Sequence, residues 1–387
     1  MDFGLTEEQK ILIDSLDKFC RKNIEPIVEE YDKKKVLRDS PVLKDFFRQI
    51  QPFGAISGPL PEKYGGMGLD YVSTGLVFEK IAEYWGSLWG TATIQLAIGR
   101  LLSELENEEI RDTYLPQVCA GDLVPCIGIT EPNVGSNPAF IETTLKEVDD
   151  GYLLNGTKTW ISNGSVSDFA IVLASVDRSH GMEGIGFVLV DRRESPYEVR
   201  ELEKMGLKSF PTSELFFEDI FIPEERFIIK PGSGLKATFR TFEIARSLMA
   251  CGSVGFSKAA ISLAVKYAKE REQWGKKIGQ FQLIQEMIAD MKARTDASAF
   301  LAYRSLWMMD QGIRCEVESS IAKAYATEEG VKTTRECIQI MGAYGLSEEY
   351  AAERYYRDAS SMTIPDGTTQ MQKMIVARNM LGLSAFA

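Results

Sequence analysis

The side-chain period of this chain changes twice along its length, and those two changes limit what it can fold into. Up to about residue 122 apolar positions recur at helical spacing: Thr6 and Gln9 form a capping-box pattern, and Leu12, Leu16, Phe19, Cys20 and Ile24 follow before Pro26. The breaker-rich Pro59–Gly68 stretch precedes Tyr71–Leu102, which is apolar enough to be a buried helix pair. Near Gly121 the pattern turns to alternation, with strand-like runs at Phe169–Val176, Gly186–Val190 and Leu215–Ile222 and hairpin signals at Asn155-Gly156 and Asn163-Gly164. From Gly234 the helical period returns over roughly 235–271, 280–312, 314–342 and 367–384, which reads as a helix bundle. The expected fold is mainly α with a small central β domain: residues 1–122 helical, 123–232 β, and 233–387 a C-terminal helical bundle.

Composition narrows the function. With 387 residues, 44% of them hydrophobic, and a mean hydropathy of -0.13, the chain can bury a sizeable core. A net charge of -12 argues against nucleic acid or an anionic membrane as partner. Six cysteines, none in CxxC spacing, read as small core residues in a reducing compartment, and the expected location is cytoplasmic, without membrane insertion. His180 is the only histidine, so a Ser/His/Asp triad or a histidine-rich metal site is not expected, and no metal is assigned. Acid–base chemistry then falls to carboxylates, tyrosine or lysine. Neither GxGxxG nor GxxxxGK[ST] occurs, so a nucleotide cofactor would have to bind between domains.

Four stretches carry candidate chemistry. Asp366 lies in a Pro-Asp-Gly turn before a helix bearing Met371, Met374, Ile375 and Met380, which Thr368 or Thr369 can cap. A carboxylate there suits a general base, raised by desolvation and lowered by nearby backbone N–H groups. The alternative is a plain turn. IGITEPNVGSN (Ile127–Asn137) presents exposed backbone N–H groups suited to a phosphate or a polar ring edge, or is a surface turn. In REQWGKKIGQFQ (Arg271–Gln282), arginine and tryptophan suit either a pyrophosphate and adenine or a subunit interface, and IQIMGAYG (Ile338–Gly345) has small residues that admit a ligand. Trp85 and Trp89, four apart, read as core.

Taken in order, TEPNVGS, KTWISNG, REQWGKKIGQFQ, IQIMGAYG and the YRD…DGTTQMQ…VAR run resemble the acyl-CoA dehydrogenase family over nearly the whole chain. The resemblance implies a β-barrel-like middle domain, a C-terminal four-helix bundle, FAD, a homotetramer, and an electron-transfer flavoprotein as electron acceptor. Matched by motif, Ile127, Ile129 and Thr130 would line the isoalloxazine, Gly135 and Ser136 would meet the pyrophosphate or ligand, Trp160 would lie against the ring, and Ser162 would bond near its reactive nitrogen. Arg271, Gln273, Trp274 and Gln282 would reach the adenosine half across a subunit interface, completed by Gln339, Gly342, Thr368 and Gln370. Ala343 replaces a common glycine there. Arg246 of EIAR would support an acyl site with Ser136, Trp89, Thr91, Phe242 and Gly367.

The family reaction removes a proton beside a thioester carbonyl and passes a hydride from the next carbon to the flavin. Its base is usually Glu before Gly-Thr; here it is Asp366 before Gly367 and Thr368. The lost methylene withdraws the carboxylate by about 1.5 Å, and misplacement by roughly 1 Å costs about a hundredfold in rate. The position that supplies the base in some members is Ala245, which cannot ionise. A shorter base suits a bulkier α-carbon, and the chain is similar to alicyclic members acting on cyclohexanecarboxyl-CoA. Trp89 stands near where dicarboxylyl-CoA enzymes carry an arginine, which points to a neutral tail. The competing readings are a nitroalkane oxidase-like flavoenzyme, also with an aspartate base, and a non-catalytic flavin-binding scaffold.

Overall fold

The computed structural model describes residues 4–383, with the side chains of 235–241 excepted, so the outer limits 1, 384 and 387 of the expected segments lie outside the described residues. The first helical segment comprises α1 (Glu7–Asn23), α2 (Val28–Lys34), α3 (Ser40–Ile50), α4 (Tyr71–Tyr84), α5 (Gly86–Ser103) and α6 (Glu108–Ala120). The capping box at Thr6 and Gln9 forms, and Tyr71–Leu102 is a helix pair with most of α5 buried.

The alternating segment folds into β1 (Pro125–Gly128), β2 (Thr144–Val148), β3 (Gly151–Ser162), β4 (Phe169–Ser175), β5 (Ile185–Asp191), β6 (Glu198–Glu201), β7 (Thr212–Pro223) and β8 (Phe227–Ile229). They form one sheet in the order β6-β7-β3-β2-β4-β5-β8, with β1 parallel to β4. Successive residues of β4 serve opposite faces: Phe169, Ile171 and Leu173 join the core beneath the N-terminal helices, while Ala170, Val172 and Ala174 pack in a separate core on the other face. With both faces covered, the strand reads as an unbroken apolar run.

The two Asn-Gly pairs are not hairpin turns. Asn155-Gly156 lies inside β3 at a register shift against β7, where Gly156 has φ of +148° and Thr143 leaves no room for a Cβ. Asn163, at φ 61°, ends β3 and leads toward β4, but β3 pairs with β2 and β7. The β2–β3 hairpin instead turns at Asp149-Asp150, with Asp150 at φ 62°.

The C-terminal helices are α7 (Gly234–Glu270), α8 (Gln282–Asp310), α9 (Glu316–Met341), α10 (Ala352–Ser361) and α11 (Thr369–Leu381), with a small hairpin of β9 (Glu272–Gln273) and β10 (Lys276–Lys277) between α7 and α8. The Phe242–Glu270 part of α7 is long and apolar enough to cross a membrane, yet 72% of its most apolar window is buried in this protein, as befits a bundle's central helix. The helix α11 departs from the expected amphipathic packing: only Thr369 and Gln372 are buried, and Met380 is 80% exposed. Polar contacts tie the segments together. Asp310 accepts from the free N–H groups of Tyr71 and Val72 at the start of α4 (2.6 and 3.2 Å), and Asp358 of α10 accepts from Leu207 N in the loop before β7 (2.6 Å).

Candidate active site

The Asp366 turn is held in a conformation that few side chains adopt. Asp366 has φ 53° and Gly367 φ +90°, two successive left-handed residues, which the short polar side chain of aspartate and the missing Cβ of glycine permit. Thr369 N closes the turn on Thr363 O (3.1 Å), and Thr368 caps α11 by accepting from Met371 N (3.3 Å). The Gln372 side chain donates to the carbonyls of Asp366 (3.0 Å) and Gly367 (2.8 Å), and the Lys323 ammonium donates to Gly367 O (2.5 Å). From α7, Arg246 approaches Asp366 O at 3.5 Å and lies over the Phe242 ring at 5.6 Å. Phe242, Arg246, Asp366 and Gly367 therefore meet.

Asp366 is partly exposed, and the elements packed around the turn crowd its carboxyl. Burial pushes that carboxyl above the usual range, and the charges of Lys323 and then Arg246 oppose the rise. The restraint thus comes from two cations, in place of the backbone N–H groups that the turn suggests. Lys323 and Gln372 were missed in the sequence; the available cue was a lysine set among Ser319, Ser320, Ala322, Ala326 and Thr327 on the buried face of α9.

The second half of the site is on the sheet. Ile127 lies on β1 and Ile129 and Thr130 just beyond it; Thr159 N donates to Thr130 O at 2.9 Å, which ties this segment to β3. Behind them Lys158 and Glu131 form a fully buried ion pair at 2.7 Å. Lys158 also donates to Ile129 O (3.2 Å), and Glu131 accepts from the backbone N–H groups of Glu142 and Thr143. Burial would raise the Glu131 carboxyl, but the Lys158 ammonium holds it below the usual range. The TEP and KTW motifs are thus two ends of one clamp, whose charged members sequence reading did not single out. A register shift between Lys158 and Ile161 turns Trp160 outward at φ 59°, leaving the indole 58% exposed, with Ser162 partly exposed beyond it. Gly135 and Ser136 are exposed, and nothing lies within 4 Å of a Cβ built on Gly135.

Helix α5 links the halves. Asn163, next to Ser162, donates to Thr91 O at 3.3 Å, while Trp89 is buried against α7, its ring over Gly252 and edge-on to Phe256 at 6.0 Å. Thr91 itself is fully buried and its hydroxyl donates to Leu88 O, so it offers no free group within this chain.

The residues matched to the adenosine half fall into two clusters. Arg271 lies over the Tyr344 ring at 6.0 Å, which joins the end of α7 to the segment at Gly342, with exposed Gln339 beside it. Gln273, Gln282 and Trp274, which is 92% exposed, share that end. Thr368 and Gln370 start α11, where Thr369 bonds Glu328 at 2.7 Å, and Glu328 to Gly342 spans roughly 20 Å of α9. One chain does not bring the two clusters together.

Family models described as acyl-CoA dehydrogenase N-terminal, middle and C-terminal domains match residues 6–122, 126–220 and 232–381. A glutaryl-CoA dehydrogenase of Desulfococcus multivorans is 32% identical, covering 99% of both chains. A caffeyl-CoA reductase–Etf complex subunit of Acetobacterium woodii is 34% identical over 87% of this chain and 90% of its own. The butyryl-CoA dehydrogenase structure from Megasphaera elsdenii superimposes with a TM-score of 0.94 at 31% identity, covering 98% of this chain and 100% of that one. The outward indole of Trp160, the open space at Gly135 and the clamped Ile127–Thr130 segment fit a flavin ring with its phosphates. The chain belongs to the acyl-CoA dehydrogenase family, FAD-dependent oxidoreductases that act on the CH–CH bond of acyl-CoA thioesters.

Proposed function

We propose that this enzyme dehydrogenates an acyl-CoA with a neutral, branched or alicyclic acyl group, such as cyclohexanecarboxyl-CoA, and that Asp366 removes the α-proton. The observation that carries this reading is the Asp366 turn: a left-handed aspartate with its carbonyls anchored, its carboxyl raised by burial, and no carboxylate at Ala245 to replace it. FAD, when bound, accepts the hydride from the neighbouring carbon. Asp366 accepts the proton through a carboxylate, and its own backbone N–H is the group suited to donate to the thioester oxygen as negative charge develops. Arg246 and Gln372 hold the turn that carries both groups.

The substrate class rests on two features. The aspartate side chain is one methylene shorter than the family's glutamate, so the α-carbon must come closer to the turn. Trp89 packs on Gly252, roughly 9 Å along α7 from Arg246, and offers a compact apolar wall without a cation for a distal carboxylate.

The domains divide near 122/123 and 232/233 in this reading, close to where helices give way to strands and back. The two separated adenosine-side clusters, together with exposed Trp274, Leu283, Met380 and Leu381 on the bundle, favour a homotetramer in which each FAD is shared across an interface. The Etf complex membership in the Acetobacterium relative's name favours an electron-transfer flavoprotein as acceptor. Six buried free thiols suit a reducing, cytoplasmic setting.

The test is an anaerobic absorbance titration of the FAD enzyme with linear, branched and cyclic acyl-CoAs, a dicarboxylyl-CoA and a nitroalkane. The strongest bleaching is expected from a cyclic or branched acyl-CoA. Preference for glutaryl-CoA or a linear chain overturns the substrate assignment, and bleaching by the nitroalkane alone overturns the thioester chemistry.

A further inference from the structure

Lys323 lies beneath the base turn in the middle of α9, fully buried on a face otherwise made of small residues. Its ammonium donates to Gly367 O at 2.5 Å and reaches Thr363 O at 3.5 Å, which ties the chain three residues before Asp366 to the chain one residue after it. Gln372 already supplies a neutral donor to Gly367 O, so anchoring alone does not call for a cation there. A buried ammonium is costly unless a negative charge repays it. Burial pushes the Lys323 ammonium down to about 8, and the first charge opposing that fall is Asp366.

We propose that Lys323 is a positioning residue for proton abstraction, its buried cation fixing the Asp366 turn by the carbonyls and keeping the Asp366 carboxyl ionised. This rests on the reading of Asp366 as the base. The other charges facing Lys323 are Arg246 from α7 and Glu328 from its own helix. Glu328 already accepts from Thr369 Oγ1, while Glu243 and Glu316, which act on Arg246, are paired with Arg314 and Arg378. Of the two carboxylates that act on Lys323, Asp366 has the larger effect, ahead of Glu328.

The experiment follows flavin reduction in the FAD enzyme by rapid anaerobic mixing with its best acyl-CoA, from about pH 5 to about pH 9, for the wild type, Lys323→Met, Lys323→Gln, Gln372→Leu and Asp366→Asn. Removing the cation raises the Asp366 carboxyl further, so the acid limb of the rate profile is expected about one to two pH units higher in both Lys323 variants. Lys323→Gln, which keeps a donor for Gly367 O, is expected to retain more of the plateau rate than Lys323→Met. Gln372→Leu, which removes a donor without a charge, is expected to lower the plateau and leave the limb in place. An unmoved acid limb in either Lys323 variant that retains FAD overturns the proposal, and so does failure of both to assemble, since that makes Lys323 a purely structural residue. Turnover retained by Asp366→Asn sinks the base assignment itself, whereas an inactive Asp366→Asn with unmoved Lys323 limbs sinks only the role of Lys323.

Discussion

At Asp366 the backbone and the carboxyl serve separate ends. The carbonyls of Asp366 and Gly367 take donors from Gln372, Lys323 and Arg246, while burial raises the carboxyl. A base with a raised pKa is protonated, and so inactive, below that value. The catalytic rate should therefore fall on acidification through a pH above the ordinary aspartate range. Asp366→Asn preserves the shape and the anchored carbonyls but cannot take a proton. Turnover is expected to drop about 10²- to 10⁴-fold while FAD absorbance stays at full occupancy, which steady-state kinetics and a visible spectrum check together. Near-normal turnover would remove Asp366 from the mechanism.

Two contacts between elements each carry an expectation. The Lys158–Glu131 pair joins β3 to the segment after β1 in a dry interior, and removing one partner leaves the other charge buried. Lys158→Met is expected to destabilise the protein by about 3–5 kcal/mol and to lower FAD content, because Ile129 and Thr130 lose their clamp; denaturant unfolding and the flavin-to-protein absorbance ratio measure both. A loss under 1 kcal/mol would mean the pair is incidental. In the helices, a Cβ on Gly255 of α7 would stand 2.3 Å from Glu79 O and 2.8 Å from Ala82 Cβ of α4. Backbone cannot yield as a side-chain tip does, so Gly255→Ala is expected to cost about 1–3 kcal/mol in denaturant unfolding despite its better helix propensity.

Across the whole molecule, a fully buried carboxylate sits where all three segments meet. Asp358 of α10 accepts from Leu207 N of the sheet domain and lies near Asp32 of α2, and burial, reinforced by Asp32, pushes it up to about 7. Unfolded aspartate titrates near 3.9, so between roughly pH 4 and pH 7 the folded protein holds the extra proton. Stability contributed by that proton is present at the acid end and lost as pH rises through about 7. Asp358→Asn cannot titrate and is expected to flatten this part of the stability curve. Thermal unfolding at several pH values checks it, and an unchanged slope would place the titration elsewhere.

The sequence alone determined the succession of helix, sheet and helix, the buried α4–α5 pair, the Thr6 cap, a threonine cap at the start of α11, and the Pro-Asp-Gly turn. Each of these is a local property, set by side-chain period or by the backbone preferences of neighbouring residues. The family motifs also pointed, over nearly the whole chain, to the family that the comparisons show. Local signals misplaced the hairpins, because Asn-Gly marks left-handed backbone, and such backbone serves a bulge within β3 or a strand's end as readily as a turn. Only the tertiary structure decided what stands behind the motifs. Lys323 meets Gly367 across 44 residues, and Lys158 meets Glu131 across 27. Burial and charge pairing act through space, so a lysine's role is settled by what the fold packs around its ammonium, and no periodicity along the chain records that.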